Sequence, residues 1–155
     1  MIALASRTLQ ILGCLVAFFV FAAGCDKFET RESHYSDYDE FEQSGNPGRW
    51  VPPFVPRTAT DIREFHYVDS NSVWVKFNPN SESIVWLTKL GCRDESAPNL
   101  PSAKRVSAAW WDKRLLEESS DSTTATTFEF YECPGDLGGH VAVSMSTEQM
   151  VFFWR

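Results

Sequence analysis

Four cysteines and three histidines are the side chains of this 155-residue sequence with the widest chemical reach. They are Cys14, Cys25, Cys92 and Cys133, with His34, His66 and His140. A zinc site takes four ligands at short, recurrent spacings. None of the histidines has such a spacing with Cys92 or Cys133, so no metal is expected. Covalent catalysis needs a nucleophile with a base in reach. The signatures that fix such pairs locally, G-x-S-x-G and H-E-x-x-H, are absent, as are the P-loop and G-x-G-x-x-G. "GDLGGH" at 135–140 has the glycines of a phosphate loop but lies between two expected hairpin strands, where it reads as a β-turn. His140 could serve as a base, with no partner that the sequence names. His66 reads as packed or solvent-facing. Asp37, Asp39, Glu40 and Glu42 lack the EF-hand pattern and read as a solvated charge run. The expectation is no catalytic residue, no cofactor and no enzyme. A pocket holding His140 or His66 beside a carboxylate with a perturbed pKa would argue for catalysis instead.

What the thiols do depends on their compartment, and the N-terminus speaks to that. Arg7 is the only charged side chain before Asp26. The uncharged run "ILGCLVAFFVFAA" at 11–23 is shorter than the roughly 20 apolar residues of a membrane span. A positive residue before it and small residues after it are the layout of a secretory signal peptide. A buried core helix or a retained short anchor is the alternative. The run ends in "FAAGC", Phe21 to Cys25, which resembles the lipobox of bacterial lipoproteins, although Ala22 stands where leucine is commoner. The resemblance implies cleavage before Cys25 and acylation of its thiol. One acyl chain anchors only marginally, and two or three hold firmly. The chain would then sit in the bacterial cell envelope as a membrane-anchored lipoprotein. Asp26 favours the inner membrane in enterobacteria, which leaves inner versus outer membrane open elsewhere. An ordinary secretory cleavage, with Cys25 free or disulfide-bonded, is the rival.

Cys14 leaves with such a leader, and Cys92 and Cys133 remain. Two thiols in an oxidising compartment most often pair, so a Cys92–Cys133 disulfide is expected, ahead of a metal site or a reactive thiol. The net charge of −7 argues against nucleic acid, whose phosphates call for clustered Lys and Arg. It argues equally against electrostatic docking on anionic lipid.

The elements that would position these residues follow from pattern. The leader is 1–24. Residues 25–48, polar and acidic without a sustained period, read as a flexible tether. Residues 49–155 read as one domain. Its entry "GRWVPPFVPRTATDIREF" starts extended because of Pro52, Pro53 and Pro56, with Trp50, Phe54 and Val55 laid on the domain. A short helix is predicted over 59–67, capped by Thr58 or Thr60, with Ile62, Phe65 and His66 on one face. "SVWVKF" alternates as a strand. "SESIVWLTKLGC" reads as a helix closed by Gly91, with a strand as its rival. "AAWWDKRLLEESS" reads as an amphipathic helix. "TTFEFYEC", "HVAVSM" and "MVFFWR" read as three strands of an antiparallel meander. The fold class expected is α+β, an antiparallel sheet of about four strands with helices packed on one face and one disulfide stapling them.

Trp110 and Trp111 are the candidate partner-binding residues, since neighbours on a helix point about 100° apart and cannot both be buried on one face. Burial in the core is the commoner fate of tryptophan. "WVPPFVP" with the following Ala59, Asp61 and Ile62, then "VWVKF" and a terminal aromatic strand, resembles small bacterial lipoproteins and exported proteins of unknown function, over Trp50 to Trp154. These motifs are structural and bring no activity with them. The functional expectation is a lipid-anchored envelope protein, a binding or interaction module with an envelope protein as partner. The alternative is an inhibitor or immunity-type lipoprotein acting on an envelope hydrolase or toxin.

Overall fold

The computed structural model describes residues 29–45, 50–52, 54–79, 83–117, 119, 124–135, 138–146 and 149–155. The expected leader, 1–24, and Cys25 lie outside them. Seven strands form one sheet: β1 (Thr30–Asp37), β2 (Thr60–Tyr67), β3 (Val73–Asn78), β4 (Arg93–Asp94), β5 (Phe128–Cys133), β6 (Gly139–Ser144) and β7 (Val151–Trp154). Their spatial order is β1-β2-β3-β7-β6-β5-β4, and every neighbouring pair is antiparallel. The helices α1 (Tyr38–Gln43), α2 (Ser83–Lys89) and α3 (Thr124–Thr127) have six, seven and four residues. This corrects the expected four-stranded α+β fold. The protein is mostly a seven-stranded antiparallel sheet with short helices, and it packs on both faces of that sheet.

Three segments account for the difference. Residues 30–37, expected within the acidic tether, form β1, an edge strand paired along its length with β2. Only Tyr35 of β1 is buried. An edge strand with one apolar anchor and charges elsewhere carries almost no period-2 signal, and such charges are how natural sheets blunt an edge. Residues 60–67, expected as a helix, form β2. The alternation is present, but its inward members are Ile62, Glu64 and His66, and two polar residues hide it. The helix expected around Trp110 shrinks to a 3₁₀ turn, Lys113–Leu115, capped by the Asp112 side chain.

One face of the sheet carries Ile62, Val73, Val75, Phe77, Val141, Val143, Val151 and Phe153. It is covered by α1 through Phe41, by the proline-rich entry through Val51, Phe54 and Val55, and by α2 through Leu87. The other face carries Phe65, Trp74, Phe128, Ala142, Phe152 and Trp154, under Val106, Ala108, Trp111, Leu115 and Leu116 of the long connection 95–117. All four residues of β7 are buried, because β7 is central and both faces are roofed.

The predicted helix at α2 ends as its sequence asks. Gly91 adopts φ +84°. Its N–H donates to the Thr88 carbonyl at 3.0 Å, and the Cys92 N–H donates to the Leu87 carbonyl at 3.1 Å. That is a Schellman motif, which needs a residue in the left-handed region at C′. It delivers Cys92 to Cys133, and the two form the expected disulfide, with Cα atoms 4.1 Å apart. The bridge joins the end of α2 to the end of β5 across 41 residues of sequence. Reduction, or Cys92→Ser with Cys133→Ser, is therefore expected to lower unfolding stability by about 4 kcal/mol in the chain-entropy account. Urea denaturation with and without reductant measures it, and no shift in midpoint would contradict the assignment.

Candidate functional site

All three histidines sit against carboxylates, in different settings. The first pair is Glu64 with His66 on β2, one strand step apart on the same face. Both are buried, at 1% and 2% exposure. His66 Nδ1 hydrogen-bonds to Glu64 Oε1. The Trp50 ring lies parallel to the imidazole, with centroids 4.1 Å apart and planes 8° apart. Ser33, opposite Glu64 on β1, adds a side-chain hydrogen bond to the carboxylate. Burial pushes the Glu64 carboxyl above its ordinary value, against the hydrogen bond and charge of His66 that pull it down.

The connectivity decides what this cluster can do. In an acyl-transfer triad the hydroxyl bonds to the imidazole, and the carboxylate orients the imidazole's far nitrogen. Here hydroxyl and imidazole share one carboxylate, and an indole covers the ring. The group is a polar network that ties β1, β2 and the entry segment together.

The second pair is His140 on β6 with Glu95. Nδ1 lies 2.8 Å from Glu95 Oε2, and the ring stacks on Trp154 with centroids 5.4 Å apart. Glu95 also lines the larger cavity, about 620 Å³, at the edge of β5. Asp94, Ser96, Leu100, Glu129 and Phe130 line it too, with Phe128 and Tyr131. The Tyr131 hydroxyl donates to Glu129 Oε2 at 3.0 Å. Burial first, then Glu129 and Asp94 nearby, push the Tyr131 phenol up to about 12, so at neutral pH it remains a donor. Arg114 lies 5.0 Å above the Phe128 ring centroid while its guanidinium pairs with Asp112. The cavity thus joins three carboxylates to three aromatic rings, one already carrying a cation.

The third histidine joins a surface cluster. His34 Nε2 and Arg63 Nε each lie 2.9 Å from Asp61 Oδ1, and Lys76 Nζ lies 3.2 Å from Oδ2. Asp61 has φ +48° at the register shift between β2 and β3. Burial works against its charge, but hydrogen bonds from Arg63 and Lys76 outweigh burial and hold its carboxyl below the usual range. Three strands are cross-tied through one carboxylate.

The tryptophan pair is divided. Trp111 is buried, edge-on to Phe152 and Trp154, and so presents nothing to a partner. Trp110 is half-buried, and its Nε1 donates to Glu32 Oε1 on β1 at 2.7 Å. Sequence reasoning missed Glu64, Glu95 and Glu129: Glu95 meets His140 from 45 positions away, and the partners of Glu64 and Glu129 lie two residues on, a spacing that shares a face only once the segment is a strand. Among the described residues no group of three or more His, Cys, Asp or Glu could hold a metal ion, and no helix is long and apolar enough to cross a membrane.

The family described as the YbbD head domain matches residues 29–78. The match runs from the residue before β1 to the last residue of β3, and it contains Trp50, Asp61, Glu64 and His66. The likeness points to a family of exported bacterial proteins. No curated protein and no solved structure matches the chain.

Removing one partner of a buried hydrogen bond leaves the other unsatisfied, at a cost of about 1–3 kcal/mol. That loss is expected for His66→Ala in urea denaturation at pH 7. A carboxyl whose folded pKa is raised stabilises fully below its unfolded pKa, and the contribution is lost as pH rises through the folded value. Glu64→Gln should therefore flatten the fall in stability as pH rises above the ordinary carboxylate range. A profile that parallels the unmodified protein's would show that Glu64 does not titrate with folding.

Proposed function

We propose that this chain is a lipid-anchored protein of the bacterial envelope whose folded part binds a cationic group and carries out no chemistry on it. The anchor rests on the signal-like leader and the FAAGC boundary at Cys25. The binding role rests on the cavity at the edge of β5. Aromatic walls with a few convergent polar groups are what a ligand site needs, and aromatic faces beside carboxylates select organic cations. Asp94, Glu95 and Glu129 supply the charge, and Phe128, Phe130 and Tyr131 the faces. The occupant is an amine- or guanidinium-bearing group, as on a basic segment of an envelope protein. His140 supports this reading as a brace, since its Nδ1 is turned to Glu95 and its ring rests on Trp154.

Two measurements test the proposal. In the first, a short peptide of alternating Lys and Phe is titrated into the purified protein by calorimetry. Binding should weaken with added salt, and by about 5- to 10-fold in Glu129→Gln, the range of a single desolvated charge contact. Equal affinity for a Glu/Phe peptide would end the cation reading. In the second, Cys25→Ser should abolish palmitate incorporation and move the protein from the membrane to the soluble fraction. Unchanged retention would end the anchor.

A further inference from the structure

Four consecutive residues of β5, Phe128, Glu129, Phe130 and Tyr131, line the cavity beside it. Successive side chains of a strand point to opposite faces of its sheet. Phe128 and Phe130 belong to the face under the 95–117 connection, and Tyr131 to the helix-bearing face. A cavity that touches both sets lies off the edge of the strand, where the backbone is.

That edge is open over half its length. β4 covers β5 at two positions, Arg93 opposite Glu132 and Asp94 opposite Tyr131. One more bond follows, from the Glu95 N–H to the Phe130 carbonyl at 2.9 Å. The chain then bends at Ser96, and Pro98 has no N–H with which to go on pairing. β4 is the last strand of the sheet. Phe128 and Glu129 therefore pair on the β6 side alone, with Ser144 and Val143. In an antiparallel strand the N–H and C=O of one residue point to the same side. The Phe130 carbonyl faces outwards, so the Phe130 N–H does too, and so does the Phe128 carbonyl two residues back. Neither of these two groups has a backbone partner among the described residues. Unpaired groups in a row are a template for another strand.

The two sides of this edge differ in chemistry. Residues opposite each other on paired strands share a face, so Asp94 lies with Tyr131 and Glu129 on one side, and Glu95 with Phe130 on the other. His140 already holds Glu95. Asp94 and Glu129 remain on the first side, and Phe128, Phe130 and Leu100 on the second, with no Lys or Arg among the described lining residues. A second copy of the chain laid antiparallel on this edge, centred on Glu129, would set Glu129 against Glu129, and like charges directly opposite destabilise a pair. We infer that the open edge of β5 takes an extended segment of a partner protein as a strand in line with β4, its basic residues over Asp94 and Glu129 alternating with apolar residues on Phe128, Phe130 and Leu100. Such pairing rests on the cation reading of the cavity and adds the backbone to it. Main-chain bonds give the affinity of strand addition, and alternate side chains give its specificity.

Calorimetry on the full chain tests it with the alternating Lys/Phe peptide in three forms: unmodified, N-methylated at every Lys, and N-methylated at every Phe. Alternate residues of an extended strand turn their N–H groups to opposite edges, so only one methylation pattern blocks the edge that meets β5. That pattern should weaken binding about tenfold, the loss of roughly two hydrogen bonds, and the other should leave it within about twofold. Weakening by the Phe pattern assigns an antiparallel strand, like every other pair in the sheet, and weakening by the Lys pattern a parallel one. Equal affinity of all three peptides would overturn strand addition and leave the cation reading standing, as would equal weakening by both patterns. No binding of the unmodified peptide would overturn both. A concentration-dependent dimer of the chain that the peptide disperses would give the edge to a second copy and overturn the partner.

Discussion

The pairing of the last strand, Val151–Trp154, with Val73–Asn78 on one side and Gly139–Ser144 on the other is the constraint on which the rest of the sheet depends. It joins two meanders, β1-β2-β3 and β5-β6-β7, edge to edge into one seven-stranded sheet. Every side chain of this strand is buried, Val151 and Phe153 towards the helices and Phe152 and Trp154 towards the long connection. It pairs with the family-matched strands, so residues 29–78 do not close their own core. Forming the pair requires contacts across some eighty positions of chain, and such non-local pairing is slow to form. Gly139 shows how close the packing is. A Cβ there would meet the Phe153 ring at 2.6 Å, so glycine is required for β6 to approach β7.

The two faces of the sheet are closed by different means. The helix-bearing face is filled by aliphatic and aromatic side chains and by the Glu64–His66–Ser33 network under Trp50. The Glu64–His66 pair is sealed there, at 1% and 2% exposure, which suits a role in holding the fold. The other face is roofed by the 95–117 connection, a segment long enough to be unusual in a small domain and of the kind that tends to carry function. It buries Trp111, Leu115 and Leu116 at its middle and leaves a cavity beside each end. One is lined with carboxylates and aromatic rings, the other with arginines and indoles.

Asp94, Glu95 and Glu129 gather at the β5 edge, while Arg105 and Arg155 lie over β3 and β7. Beyond them, on β1 to β3, His34, Arg63 and Lys76 converge on Asp61.

The sequence by itself determined the elements whose signals are local. The strands at 73–78, 128–133, 139–144 and 151–154, the helix ending at Gly91 and the Cys92–Cys133 bridge were all legible, because alternation, capping glycine and thiol pairing act within a few residues or through one covalent rule. Only the tertiary structure decided the rest. Thr30–Asp37 is a strand because β2 lends it hydrogen bonds and Tyr35 finds the core, and nothing in its own polarity asks for that. Thr60–Tyr67 is a strand because Glu64 and His66 satisfy each other inside, which two polar letters at spacing two cannot announce. Trp110 and Trp111 part company because Phe152 and Trp154 make a socket for one and Glu32 an acceptor for the other. The cavities were invisible for the same reason. A site is a meeting of residues from distant parts of the chain, and only folding brings Glu95 to His140 or Arg105 to Trp74.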